Sequence, residues 1–417
     1  MGSRTVGTAI LTGLLTACGA WANAPRIFYS DLVGGPVTGG DNGLGVIVTI
    51  AGVNFGSARG GSFVRIGGQQ AASYREWTDS EIVFQPGAAA AAGGIEVHTR
   101  AGFSNTVPFE VRAGKIHFVA SNGNDNASGS FSAPWKTIPH AVQTARGGDV
   151  IYALDGVAQQ ADDGQGWDAA LTLRAEWCSA GMAKALVAYP GAMVTIGSDA
   201  ANSPSNGLRS TDFSGDGGAC AGNWTFAGLR FRGLNPVAIN GPSASWRFVG
   251  NDISCPLATG ADGGGACFET TLASNVAFYG NNVHDAGAAQ ASALFQGVYF
   301  STDSNHIDMG WNTVANVRGC RGVQVHSSPL GSNYPKSGYD QYDIAIHDNL
   351  IHDTQCDGII LDTIDPSKGP VWVYNNIIYA AGKGPANPEN TGNWSCIYVP
   401  ATTENGPAGS GAVEVFN

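Results

Sequence analysis

Trp224-Thr225-Phe226-Ala227-Gly228-Leu229-Arg230-Phe231 returns as Trp246-Arg247-Phe248-Val249-Gly250-Asn251-Asp252-Ile253. It returns again as Val276-Ala277-Phe278-Tyr279-Gly280-Asn281-Asn282-Val283. In each stretch apolar residues alternate with polar or small ones, the period of a strand with one buried face. Each then breaks at a tight bend and resumes as a second short strand. Variants follow at 307–314, 344–351, 371–378 and 413–417. Strand-like units recurring at this spacing predict a β-solenoid, in which each rung buries its apolar face only by stacking on the next. Rungs would lie about 4.8 Å apart. Asn251, Asn281, Asn312, Asn349 and Asn376 recur at the bend. Asn tolerates the left-handed backbone that such a bend requires. Stacked on successive rungs, these residues would form an amide ladder.

A second strand series lies between the ladder elements: Gly297-Val298-Tyr299-Phe300-Ser301-Thr302, Gly322-Val323-Gln324-Val325-His326-Ser327 and Gly358-Ile359-Ile360-Leu361-Asp362-Thr363. Alternation turns Val298, Phe300, Val323, Val325, Ile359 and Leu361 inward. Tyr299, Gln324 and Ile360 then form one outward column, and Ser301, His326 and Asp362 the next.

Composition agrees with a β-rich chain. Gly is 60 of 417 residues, too many for long helices, and charged residues are only 13%. That excludes coiled coils and charge-rich disordered chains. The net charge of -12 argues against a nucleic-acid binder, which needs a basic face, and permits Ca²⁺ binding through carboxylates.

Residues 1–22 read as an export signal, with Arg4 as the only charge before a short apolar run. Ala20-Trp21-Ala22 suits a signal peptidase. Leu15-Thr16-Ala17-Cys18 resembles a bacterial lipobox, in which a lipidated Cys18 would attach the protein to a membrane. The expected location is extracellular or outer-membrane lipoprotein, and the expected state a monomer. Export permits disulfides. Beyond Cys18 the cysteines are 178, 220, 255, 267, 320, 356 and 396, an odd set that leaves one over. Cys320 and Cys356 each precede a Gly by two residues and should meet on adjacent rungs. Cys255 and Cys267 could close a loop.

Residues 25–112 hold short alternating runs around 45–50, 63–66, 81–84, 94–98 and 107–111, the pattern of a small sandwich. Pro25-Arg26-Ile27, Gly52-Val53-Asn54-Phe55-Gly56, Trp77-Thr78-Asp79-Ser80-Glu81-Ile82 and Ser104-Asn105 resemble the IPT/TIG immunoglobulin-like family. That resemblance implies a spacer or accessory module without catalysis. Trp77 could serve as a sugar platform, and packing within the sandwich is the plainer reading.

Residues 115–417 open with Lys115-Ile116-His117-Phe118-Val119 and Ala133-Pro134-Trp135-Lys136-Thr137-Ile138. A short helix near 139–145 and Gly147-Gly148-Asp149-Val150-Ile151-Tyr152 follow. The series resembles the start of right-handed parallel β-helix proteins, where such a helix caps the open end. Ala188-Tyr189-Pro190-Gly191-Ala192-Met193-Val194-Thr195-Ile196 resembles an early rung of the β-helix polysaccharide lyases. The predicted fold is therefore all-β: an immunoglobulin-like β-sandwich followed by a right-handed parallel β-helix. The chain stops part-way through a rung, which reads as a solenoid truncated at its C-terminus.

The long loops after the second strand series carry Lys336, Tyr339 and Asp340, then Asp365 and Lys368. Insertions on one side of a solenoid mark a binding face. The lyase resemblance implies removal of the proton α to a carboxylate, after that carboxylate is neutralised by Ca²⁺ or Arg. Lys336 is the candidate base, with Arg321 or His326 assisting the carboxylate or the leaving group. Tyr299, Gln324, Tyr339 and Lys368 are the candidate sugar contacts, and Asp362, Asp365 and Asp340 the candidate Ca²⁺ ligands. Plainer readings stand beside these: solvated loop charge for Lys336 and Lys368, a surface histidine for His326, and turn-forming Asp at Asp362 and Asp365. His347 and His352, next to the ladder, read as structural. Two other functions fit the same layout. A glycoside hydrolase would pair Asp362 with Asp303, Asp340 or Asp365. A non-catalytic glycan-binding adhesin would use Tyr299, Tyr334, Tyr339 and Trp394 as sugar platforms.

Overall fold

The computed structural model describes residues 23–178, 181–211, 220–260, 264–328, 341–385, 387, 392, 394–400 and 411–417. The N-terminal part is a sandwich of two sheets. One runs in the order Arg26–Ser30, Val48–Val53, Glu81–Gln85, Ser73–Trp77. The other runs Gly34–Gly35, Val107–Val111, Gly93–Thr99, Phe63–Ile66, Gln69–Gln70. Alternation buries Ile50, Val64, Ile66, Ile82, Phe84, Ile95 and Val97 between them. Trp77 packs in the sandwich as expected, its Nε1 donating to the Phe55 carbonyl at 3.0 Å and its ring edge-on to Tyr74.

From Ile116 on, the described strand pairs are parallel, and they build a prism with three faces. The first face carries Ile116–Val119, Val150–Ala153, Lys184–Ala188 and Gly222–Ala227. It continues through Asn305–Gly310, Ile344–His347, Val371–Tyr374 and Val413–Phe416. The second carries Ala169–Thr172, Asn206–Thr211, Phe295–Ser301, Val323–His326, Ile359–Leu361 and Ile397–Tyr398. Two long strands, Asn235–Val249 and Gly265–Tyr279, bend across both faces. The third face is built of short strands from Ala158–Gln159 to Ile377–Tyr379. Inside, Phe226, Phe248, Phe268 and Phe278 pack in a row, with centroids 5.3, 4.9 and 4.4 Å apart in turn, the first pair stacked and the second edge-to-face. The helix Ile138–Thr144 closes the first rung by burying Ile138, Ala141 and Val142 in the same core. Thr137 caps it by accepting from the His140 amide.

The amide ladder is present. Asn281 Nδ2 donates to Asn312 Oδ1 at 3.0 Å, and Asn251 Nδ2 donates to Asn281 Oδ1 at 2.9 Å. Asn349 and Asn376 continue the series. One expectation is corrected. The left-handed residue is not the ladder Asn but the one before it: Gly250, Gly280, Trp311, Asp348 and Asn375 have φ between 53° and 63°. That bend turns each following Asn into the core, where its amide must be satisfied by the rungs above and below.

Cys178–Cys220, Cys255–Cys267 and Cys320–Cys356 are disulfide-bonded, and Cys396 is the free cysteine among the described residues. The expected export signal and Cys18 lie outside the described residues.

The sandwich is not a detached spacer. It docks on the first face of the prism, and one apolar cluster runs through both parts. That cluster joins Ile47, Val48 and Ile50 to Phe118, Val150, Tyr152, Val187 and Val249. The Tyr152 hydroxyl accepts from the Ile47 amide at 2.7 Å and donates to the Ile47 carbonyl at 2.8 Å. Arg247 donates to the Ser30 carbonyl, and Phe28 stacks on Trp311 at 5.5 Å. Docking covers part of the first face and does not reach the second, whose outward residues Tyr299, His326, Asp362 and Glu269 are half-buried while Ser301, Gln324 and Ile360 are buried.

Candidate functional site

Parallel register decides what the second face presents. Tyr299 pairs with Gln324, and Gln324 with Ile360. Ser301 pairs with His326, and the Val325–Leu361 pair places Asp362 beside His326. Both outward columns therefore form as alternation predicts, while Val298, Phe300, Val323, Val325, Ile359 and Leu361 are fully buried.

On this face the Tyr299 hydroxyl lies 3.2 Å from His326 Nδ1, and His326 Nε2 lies 3.8 Å from Asp362 Oδ2. Ser328 Oγ is 3.4 Å from the same Nδ1. Arg321 approaches from the preceding turn. Its Nη1 donates to Gln324 Oε1 at 3.0 Å, and its Nε is 3.8 Å from Asp357 Oδ2. That Nε–H is buried without a hydrogen-bond acceptor. Burial lowers the Arg321 pKa, and the charges of Asp357 and Asp362 oppose that shift. Five of the predicted residues thus converge: Tyr299, Arg321, Gln324, His326 and Asp362.

Behind them a buried polar corner holds the strand ends. Gln341 Nε2 donates to the Phe300 and Ser304 carbonyls at 3.0 and 2.9 Å. Ser327 Oγ donates to Gln341 Oε1 at 3.1 Å, and Thr363 Oγ1 accepts from the Ser327 amide. These residues position His326 and Asp362 without facing solvent.

Asp365 and Lys368 do not join the cluster. Asp365 is buried and accepts from Ser367, and Lys368 Nζ lies 3.6 Å from it. The Ser367 and Lys368 contacts hold the Asp365 carboxyl below its ordinary pKa. Lys336, Tyr339 and Asp340 lie outside the described residues. Among the described residues no group of three or more His, Cys, Asp or Glu could hold a metal ion. His347 is structural as expected. It is buried between Asp308 and Asp348, at 2.8 Å from each, and stacked on Tyr374.

Two polar residues on this face escape the sequence reading. Glu269 pairs in register with Tyr299 and with Ala238. Asn240 Nδ2 donates to Glu269 Oε1 at 2.9 Å. Burial raises the Glu269 pKa, and the Asn240 hydrogen bond and the Arg209 charge oppose the rise. The signal was available in Phe268-Glu269-Thr270, which alternates as the later strands do. It is hidden because each of the two strands carrying these residues runs through two faces without a break.

Residues 35–113 match the family described as IPT/TIG domain. No curated protein matches the sequence. Among solved structures the chain is similar to a rhamnogalacturonan lyase at 14% identity and TM-score 0.38, over 72% of this chain and 66% of that one. It is similar to the pectate lyase Pel9A at 13% identity and TM-score 0.39, over 70% and 77%. A lacto-N-biosidase from Eubacterium ramulus matches at 11% identity and TM-score 0.28, over 68% of each chain. The N-terminal sandwich is thus an IPT/TIG domain, and it is followed by a parallel β-helix.

Proposed function

We propose that the protein is carbohydrate-active and cleaves a uronic-acid-containing polysaccharide by β-elimination on the second face. The observation that carries this reading is the convergence of Arg321, Tyr299, His326 and Asp362 on one outward patch. Elimination removes the proton α to the sugar carboxylate. The electron pair forms a carbon–carbon double bond, and the glycosidic oxygen leaves and is protonated. The buried, unaccepted Nε–H of Arg321 suits the substrate carboxylate. Tyr299 and His326 share a hydrogen bond through which a proton can move, and Asp362 orients the imidazole. Lys336 on the adjoining 329–340 segment is proposed as the base, and Tyr339 and Gln324 as sugar contacts. No step is routed through a metal. Asp365 is committed to Ser367 and Lys368, so a Ca²⁺ site would draw on Asp362 and Asp340. Three disulfides fit an oxidising compartment, and export, with lipidation at Cys18 as one route, belongs to the same proposal.

The test is product formation on alginate, pectate, chondroitin sulfate, dermatan sulfate and neutral glycans, each with Ca²⁺ and with chelator. Ultraviolet absorbance from unsaturated ends is expected on a uronate polymer, falling about 10²-fold or more in His326→Ala and in Lys336→Ala. Loss on chelation would support the Asp362–Asp340 cation site. Reducing ends without absorbance would replace elimination by hydrolysis. Binding without any product would make this a glycan-binding solenoid.

A further inference from the structure

The polar residues of the second face fall into two groups. The Arg321–His326 group sets a guanidinium and an imidazole beside the Asp362 carboxylate. The other group, Glu269 and Asn240, sits on earlier rungs and offers acceptors. Asn240 is 5% exposed, and its Oδ1 has no hydrogen-bond partner. Its Nδ2 is spent on Glu269 Oε1. A buried carbonyl oxygen left without a donor costs about 1–3 kcal/mol, so a native site that keeps one has a donor to receive. The neighbouring Glu269 carboxylate is half-buried and is an acceptor at both oxygens. Between Glu269 and Arg209 the column holds only the small side chain of Ala238, which is itself buried. Arg209 donates to the Trp167 carbonyl at 2.7 Å and contributes its charge to Glu269 at longer range.

We propose that Asn240 and Glu269 form a subsite for a neutral sugar, with two adjacent hydroxyls donating to Asn240 Oδ1 and to the Glu269 carboxylate. Paired acceptors favour a diol and repel a carboxylate. Glu269 and Gln324 are two rungs apart in one column, about 10 Å along the solenoid axis. That span is of the order of a disaccharide. The preferred polymer therefore carries a neutral residue beside the acidic one, and a homopolymer of uronic acid fits less well. This inference rests on the reading that the second face takes a polysaccharide.

Two probes separate the two claims: methyl β-galactoside, which is neutral, and digalacturonate, which is anionic. Binding to the full chain is followed by saturation-transfer NMR and calorimetry. Wild type should bind both at once without competition. Glu269→Ala and Asn240→Leu should abolish binding of the neutral probe and leave digalacturonate unchanged, and His326→Ala should do the reverse. Glu269→Gln keeps the side-chain volume and should weaken the neutral probe about tenfold, since it removes a charge-assisted acceptor. It serves where truncation unfolds the chain, as judged by circular dichroism. The subsite is overturned if the neutral probe does not bind, binds equally to Glu269→Gln and Asn240→Leu, or competes with digalacturonate. Neutral binding without digalacturonate binding removes the elimination proposal and keeps the subsite.

Discussion

Replacing Asn281 by Ala tests the amide ladder at its most connected point. In the native protein Asn281 Nδ2 donates to the Phe248 carbonyl at 2.9 Å and to Asn312 Oδ1 at 3.0 Å. Its Oδ1 accepts from the Asn251 amide at 3.0 Å and from Asn251 Nδ2 at 2.9 Å. Two of the affected groups keep another partner. Asn251 Nδ2 still reaches the Phe226 carbonyl, and Asn312 Oδ1 still accepts from the Asn281 amide. The Asn251 N–H has a single hydrogen and loses its acceptor outright, in a site 1% exposed. Net losses of about 1 kcal/mol per hydrogen bond, plus the penalty for one orphaned donor, give roughly 4–6 kcal/mol. Solenoids open locally, so the readout is hydrogen exchange at the Asn251 and Asn281 amides rather than one global midpoint. A loss of about 4 kcal/mol accelerates exchange roughly a thousandfold. Asn376→Ala is the companion at the half-buried end of the ladder: Asn376 donates only to the Ile346 carbonyl and accepts from the Asn349 amide and from Asn349 Nδ2. It loses one hydrogen bond fewer and should cost about 1 kcal/mol less. If Asn281→Ala speeds exchange less than about tenfold, the ladder is a consequence of stacking and not a cause of it.

Gly250 and Gly280 share the same bend, with φ of 63° and 62°, but a β-carbon meets nothing at Gly250 and lies 1.8 Å from the Tyr29 hydroxyl at Gly280. Ala at Gly250 should cost about 1 kcal/mol of thermal stability, whereas Ala at Gly280 should also loosen the docked sandwich and raise protease cleavage between the two parts. Tyr152→Phe removes both bonds to the Ile47 backbone and should destabilise by about 2–4 kcal/mol in urea unfolding, with no change if the docking is purely apolar. Burial raises the Asp31 pKa to about 7, above its value in the unfolded chain. The folded protein then holds more protons than the unfolded one between about pH 4 and 7, so this group's contribution to stability falls as pH rises through that window. Asp31→Asn keeps an acceptor for the Thr49 and Leu32 amides and should flatten the fall, giving a higher melting temperature at pH 8 than wild type.

The two outward columns were legible because alternation is a property of the local chain, and parallel stacking then repeats it rung by rung. The same logic paired Cys320 with Cys356 and placed His326 beside Asp362. The bend was misread by one residue, because sequence alone does not say whether Gly280 or Asn281 takes the left-handed backbone. The buried amide settles it, since only an inward Asn can join neighbouring rungs. Gln341 had no visible role, because its partners Phe300, Ser304 and Ser327 come from two other turns.

By itself the sequence determined the class of fold, the inward and outward sides of each strand, and the membership of the ladder. These follow from periods of two residues within a strand and one rung between strands. Only the tertiary structure decided which face the sandwich takes. The sandwich could have hung free on its linker. Instead Phe28, Tyr29 and Ile47 find their apolar partners on the first face of the prism. The structure also decided that Asn240 and Glu269 meet, because a contact between residues 29 positions apart depends on how long the intervening rung is.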